Sequence, residues 1–263
     1  MLIIREAQIA AFQRGALDGY VTELVAHCRE FSPHLCQTLS EAELRAAVEH
    51  GVTRAATHGL DMRGPIRFFV DLMIVLGSGF DTDPQYGWAA EILARKDTLG
   101  QMERAEALHA RVREHLAQVD GERNRHTRQA LADLELLLRR GLSVRAEAFE
   151  EDTLSLMAAV HPRKVAATEG EALRRLITVG AEKARRRYGF QEPRSLLRMV
   201  VMMFAFGHHV DTDPLLPWVA RALRRRDPQT PRTPEVAERA AERLERRARI
   251  WLSAVLENTK EDD

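Results

Sequence analysis

Residues 64–97, GPIRFFVDLMIVLGSGFDTDPQYGWAAEILARKD, align without a gap onto residues 194–227, RSLLRMVVMMFAFGHHVDTDPLLPWVARALRRRD. The offset is 130 positions. Gly77 pairs with Gly207, Trp88 with Trp218 and Asp97 with Asp227, and both copies carry Asp-Thr-Asp-Pro, at 81–84 and 211–214. Outward from this core, EAELRAAVEHGVTRAATHGL (41–60) falls on EALRRLITVGAEKARRRYGF (171–190) at the same offset. Farther back the alignment slips by one residue and sets Pro33 near Pro162. Downstream, ERAEALHARVREHL (103–116) resembles ERAAERLERRARIWL (238–252), after a proline-rich insertion, PQTPRTP (228–234). A unit of about 110–130 residues is far longer than a solenoid repeat. The pattern predicts two similar helical bundles, residues 1–122 and 123–263, packed together about a pseudo-twofold axis.

Composition points to an all-α chain. Leu, Ala, Arg and Glu dominate, and aromatics make up only 6% of the residues, which favours helix over strand. At 263 residues the chain can bury a sizeable core. The 39 basic and 39 acidic residues cancel, so the chain as a whole has no strong electrostatic preference for nucleic acid or a membrane surface. Cys28 and Cys36 are too few for a disulfide framework and suit a reducing compartment. MLIIREAQIAAF has no signal-peptide pattern. The longest apolar runs, around 68–80 and 199–207, are too short to span a bilayer. A cytoplasmic location is expected.

Local signals place the helices. Ile9, Phe12, Ala16, Tyr20 and Leu24 recur at helical spacing and predict a helix to about Glu30. Phe31 to Leu35 reads as a loop because of Pro33. Ser40 followed by Glu43 is a capping box, and Gly59 suits the position just past the end of that helix. The next helix, 64–77, is apolar on nearly every face and is expected at the centre of its bundle. Helices over about 84–96 and 99–119 follow. Residues 120–128 are polar and predicted to join the halves; the order restarts near 129, and ENTKEDD reads as a frayed tail.

The repeated tetrapeptide invites a metal reading. Asp81, Asp83, Asp211 and Asp213, with His208, could hold a divalent cation. Helix initiation accounts for the same residues more simply. Pro84 and Pro214 fit a first helical position with Asp83 and Asp213 as N-caps, while Asp81 can accept from the backbone N–H two residues on in an Asx-turn. His208 and His209 are matched in the first copy by Ser78 and Gly79, so the repeated module does not require them. His27, Cys28, His34 and Cys36 have no zinc-finger spacing. Trp88 and Trp218 fit core packing, and Asp71, a polar intruder in an apolar helix, fits a buried hydrogen bond to a neighbouring helix.

Arg185-Arg186-Arg187 and Arg224-Arg225-Arg226 make the second half basic. Residues 163–232 hold 15 basic residues against 7 acidic ones, which fits a solvated face or an acidic protein partner. Nucleic acid is disfavoured because no interleaved aromatics or reader motif accompany the runs. No GxSxG elbow, P-loop, HExxH or Rossmann fingerprint occurs.

MLIIREAQIAAF and FVDLMIVLGSGFDTDPQYGWAAEIL (69–93) resemble a group of uncharacterised bacterial proteins encoded near type VI secretion or polymorphic-toxin genes. The resemblance covers chiefly the N-terminus and the first copy, and it brings no catalytic residues. It implies a protein that binds a secreted effector as an adaptor or chaperone, or neutralises a toxin as an immunity protein. The combined expectation is a non-enzymatic protein-binding chain without a cofactor, using Arg185–Arg187 and Arg224–Arg226. The rivals are a metal-dependent enzyme at the paired aspartates and a nucleic-acid binder through the arginines.

Overall fold

The computed structural model describes residues 6–224 and 233–258, with side chains from 15 to 224 and 233 to 257. It is all-α: thirteen α-helices and no strand among the described residues. The first six are α1 (Glu6–Phe31), α2 (Pro33–Gln37), α3 (Glu41–Thr57), α4 (Arg63–Leu76), α5 (Gly87–Ala94) and α6 (Gln101–Val119). Then come α7 (Arg125–Arg140), α8 (Phe149–Val160), α9 (Pro162–Ala167), α10 (Gly170–Lys183), α11 (Pro193–Phe206), α12 (Pro217–Leu223) and α13 (Pro234–Asn258). No described helix is long and apolar enough to cross a membrane.

Two buried clusters organise these helices. One draws on residues 21–112 together with Leu215, the other on residues 130–252. At their centres lie α4 and α11. Every residue of α11 from Ser195 to Phe204 is buried, as its all-round apolarity requires. In α4 the core face is Ile66, Phe69, Val70, Met73 and Leu76, while Val75 is exposed. In α1, Leu24 is buried and Tyr20 half-buried, but Ala16 is exposed; the side chains of Ile9 and Phe12 lie outside the described residues.

Most predicted boundaries hold. Ser40 Oγ accepts from Glu43 N–H while Glu43 Oε2 accepts from Ser40 N–H at 2.9 Å, completing the capping box. Gly59 adopts φ +66°. Three expectations need correction. Pro33 opens α2 instead of breaking the chain into a loop, because proline is preset for a first helical position. The 120–128 joiner is shorter than expected: α7 begins at Arg125, drawn into helix by Ala130, Leu134 and Leu138, which bury one face at every fourth residue. Where the first half has the single helix α1, residues 125–160 form two helices, with α7 ending at Gly141 in a positive-φ conformation.

A further difference from the expected pattern lies along α10. A Cβ on Gly51 would come within 2.8 Å of Met73 Sδ and 2.9 Å of Val70 Cγ2; one on Gly180 would meet Met203 Sδ and Val200 Cγ2 at 3.0 Å. The same glycine seats α3 on α4 and α10 on α11, yet Gly51 and Gly180 are 129 positions apart. The extra residue of the second segment is absorbed by a π-helical turn over Ala184–Tyr188. The offset is therefore 129 along α10 and becomes 130 beyond the turn.

Candidate functional site

The two Asp-Thr-Asp-Pro loops meet at the junction of the clusters. Gly77 ends α4 at φ 96°, ψ 151°, and Gly207 ends α11 at φ 95°, ψ 152°. Their backbones approach so closely that a Cβ on Gly77 would lie 2.6 Å from Phe206 O, and one on Gly207 3.2 Å from Leu76 O. Asp83 caps its own turn through Gln85 N–H (2.9 Å) and reaches across to accept from His208 N–H (2.7 Å). Asp213 does the same, accepting from Leu215 N–H (2.8 Å) and, across the junction, from Ser78 N–H (2.9 Å). The local bonds expected of Asp83 and Asp213 are present, but the helix starts are displaced. Asp83 caps a 3-10 turn, Pro84–Tyr86, ahead of α5, and Pro214 opens no helix because α12 begins at Pro217. Each aspartate is also a clasp on the other loop.

Asp81 and Asp211 have a different task. The Asx-turn expected at Asp81 is absent: Asp83 N–H goes to Phe80 O, and the Asp81 carboxylate turns instead to α3. There it accepts from Arg54 Nη2 (2.6 Å) and meets His58 Nε2 (2.7 Å). Burial works against its charge, but His58 and Arg54 prevail and hold the carboxyl below its ordinary range. Asp211 is gripped by Lys183 Nζ (3.0 Å), Tyr188 Oη (2.8 Å) and Arg187 Nη1 (3.2 Å). Arg54 and Lys183 are related by the offset of 129, His58 and Tyr188 by 130. These aspartates tie each loop to the preceding helix, and their lone pairs are spent on N–H and O–H donors. Among the described residues no three His, Cys, Asp or Glu side chains come together as a metal would need.

The remaining sequence candidates are placed as follows. His208 lies 3.4 Å from Asp83 Oδ2 and stacks on His209 at 3.9 Å. Burial, with His208 and Lys183 adding, pushes His209 down to about 4. His27 Nε2 meets Asp71 Oδ1 at 2.6 Å, the inter-helix bond expected for that aspartate. Cys36 donates to Cys28 O, and burial pushes the Cys28 thiol up to about 12. Trp218 stacks on Trp251 at 5.9 Å, and Trp88 packs beside Tyr86.

Arg185, Arg186 and Arg187 project from the π-helical turn and are exposed. Arg187 is tied to Asp211, whereas Arg185 and Arg186 make no ion pair among the described residues. Arg224 is exposed just past α12; Arg225 and Arg226 lie outside the described residues.

A cavity of about 170 Å³ also opens at the junction, lined in part by residues that no motif had singled out. Lys164, on α9, is 6% exposed and donates to Phe204 O at 2.6 Å. Burial pushes it down to about 8, although Asp83 and Asp120 pull the other way. Tyr86 and His115 lie against each other at 5.4 Å, with the Lys164 ammonium 5.5 Å from the Tyr86 ring centre. Burial, with Lys164 and Arg111 adding, pushes His115 down to about 4; His161 reaches about 4 for similar reasons. One signal for Lys164 was available in composition. The chain has only four lysines, at 96, 164, 183 and 260, and otherwise uses arginine, which stays charged where lysine can lose its proton.

No protein-family model matches the chain, and comparison with curated proteins and with solved structures returns no match. Function must therefore be inferred from the residues.

Proposed function

We propose that the chain works by binding another protein, as an immunity protein or an adaptor or chaperone for a secreted bacterial effector or toxin. The observation that carries this is the pair Arg185 and Arg186: exposed, held on a rigid turn, and without a carboxylate partner among the described residues. Adjacent on one turn, these two guanidiniums are free to meet an acidic surface together. The anchoring of Arg187 by Asp211 fixes the turn that presents them. The sequence resemblance to proteins of secretion and toxin loci supports the kind of partner.

The test is affinity purification of the tagged chain from its own cells, in parallel with Arg185→Glu/Arg186→Glu. Both arginines are exposed, so the double variant keeps its thermal midpoint. The expected result is a specific acidic partner recovered with the wild type and lost from the variant. Equal recovery with both proteins would remove the arginine turn as the docking surface, and recovery of no specific partner would overturn the binding function.

A further inference from the structure

We infer that the junction cavity is a binding site for a small apolar monocarboxylate, whose head group is held by Lys164 with Tyr86 and His115. This goes beyond the arginine surface and does not depend on it. The starting observation is unspent hydrogen-bonding capacity. Lys164 has three N–H donors and one protein acceptor, Phe204 O; its other neighbours are the ring faces of Tyr86 and Phe204. Tyr86 and His115 are 3% and 5% exposed, yet neither makes a hydrogen bond among the described residues. Two N–H groups of Lys164 and the polar atoms of Tyr86 and His115 are therefore left for whatever the cavity holds, and a carboxylate would accept from all three.

The plain alternative is that Lys164 merely caps the C-terminal carbonyls of α11. That explains one of its three N–H groups. The first copy finishes α4 without a lysine, because the position matching Lys164 is Leu35. Likewise Tyr86 is matched by Leu216 and His115 by Trp251. All six residues line the cavity. In each matched pair one member is a lysine, tyrosine or histidine, and these three are neighbours; the Trp251 Nε1–H, buried without a partner, lines the same cavity. Helix capping has no use for the tyrosine and the histidine.

The wall selects the ligand. Lys164 is its one cation, and the His115 and His161 imidazoles are neutral at pH 7, which suits one negative charge and not a phosphate dianion. Of the wall carboxylates, Asp213 is occupied by the Ser78 and Leu215 amides. Asp120 accepts from Thr127 Oγ1, and burial raises it towards its neutral form. Aliphatic groups, including Met73, Leu76 and Leu116, supply the remainder. A cavity of about 150 Å³ accommodates benzene, so this one takes an acid of about benzoate size.

The test is calorimetric titration of the full chain with benzoate and hexanoate, using benzamide as the uncharged match for benzoate. A charge-assisted hydrogen bond corresponds to ~10- to 100-fold in affinity, so benzamide should bind weaker than benzoate by that factor. Lys164→Met should lose the same factor for benzoate. Tyr86→Phe removes a single oxygen, keeps the packing, and should weaken benzoate several-fold with no loss of thermal stability. Affinity should also fall between pH 7 and 10. Lys164, near 8, loses its proton there, while His115, His126 and His161 are already neutral, Tyr86 stays protonated, and Asp83 stays ionised. Asp120, raised from 3.8 by burial, is the other facing group. Failure of both acids to bind more tightly than about 10 mM, equal affinity for benzamide, or a flat pH profile would each overturn the proposal.

Discussion

Replacing Asp83 with alanine should be among the most damaging single changes in the chain. It strips the acceptor from two buried backbone donors at once, Gln85 N–H at 2.9 Å and His208 N–H at 2.7 Å, and weakens the hold on the Gln85 side-chain amide. A buried donor left without a partner costs ~1–3 kcal/mol, and the lost cap is already counted in the first of the two. The total is about 3–5 kcal/mol, a large share of the ~5–15 kcal/mol that folded chains typically hold. At ~2–4 °C per kcal/mol for a chain of this size, the melting midpoint should fall by about 6–20 °C. Asp213→Ala removes the matching pair, Ser78 and Leu215 N–H, and should cost about the same. Asparagine separates shape from charge. Burial opposes the Asp83 charge, but His208 and the two amides hold its carboxyl below the usual range; at Asp213 burial wins and raises it. Asp83→Asn should therefore cost about 2 kcal/mol and Asp213→Asn less than about 1. Urea unfolding of the four variants, followed by circular dichroism at pH 7, decides. The reasoning fails if Asp213→Asn is the costlier asparagine, or if either alanine variant lies within ~1 kcal/mol of wild type.

Acid should unfold the chain through Asp81 and Asp83. Their folded values are depressed, so their contribution is complete above the unfolded value of about 4 and disappears as pH falls through the folded ones. The raised Asp71 and Asp213 work in the opposite sense, favouring the folded state as pH falls. Arg54→Met should accordingly move the acid midpoint upward in a series from pH 2.5 to 6, and an unchanged midpoint would discount the Asp81 clamp. Gly77→Ala should destabilise by ~2 kcal/mol or more, from positive φ and a backbone clash. Gly207→Ala should cost less, since its Cβ would meet the opposing carbonyl at 3.2 Å instead of 2.6 Å; the reverse order in thermal melts would contradict the close approach. With its thiol pushed up to about 12 and buried, Cys28 should resist iodoacetamide at pH 8 until urea is added, and rapid native alkylation detected by mass spectrometry would refute that.

What could be read from the chain was local. The capping box at Ser40, the Asp83–Pro84 helix start and the all-round apolarity of 199–207 each encode their structure within a few residues. The central placement of α11 follows from that last pattern alone. What could not be read depended on partners distant in sequence. The spacing around Asp83 shows that it can cap Gln85, but nothing in it points to His208. Asp81 was misassigned for the same reason, since Arg54 and His58 approach it only after α3 has packed on α4. The π-helical turn was visible only as a one-residue slip between the copies. Nothing near Lys164 in sequence marks it as buried, since only the packing of α9 brings it to Tyr86 and Phe204.

The reciprocal clasp has a kinetic consequence. Its two cross-junction bonds join residues 125 and 135 positions apart, whereas α3–α4 and α10–α11 pair within short stretches. Loop-closure entropy favours forming the near contacts before the distant ones, so the clasp is expected to close late. In native hydrogen exchange, the amide protons of Ser78 and His208 are each sealed by a carboxylate from the far side. Both become exchangeable when the loops part, so their matched rates would time the separation of the two loops while the helical cores stay folded.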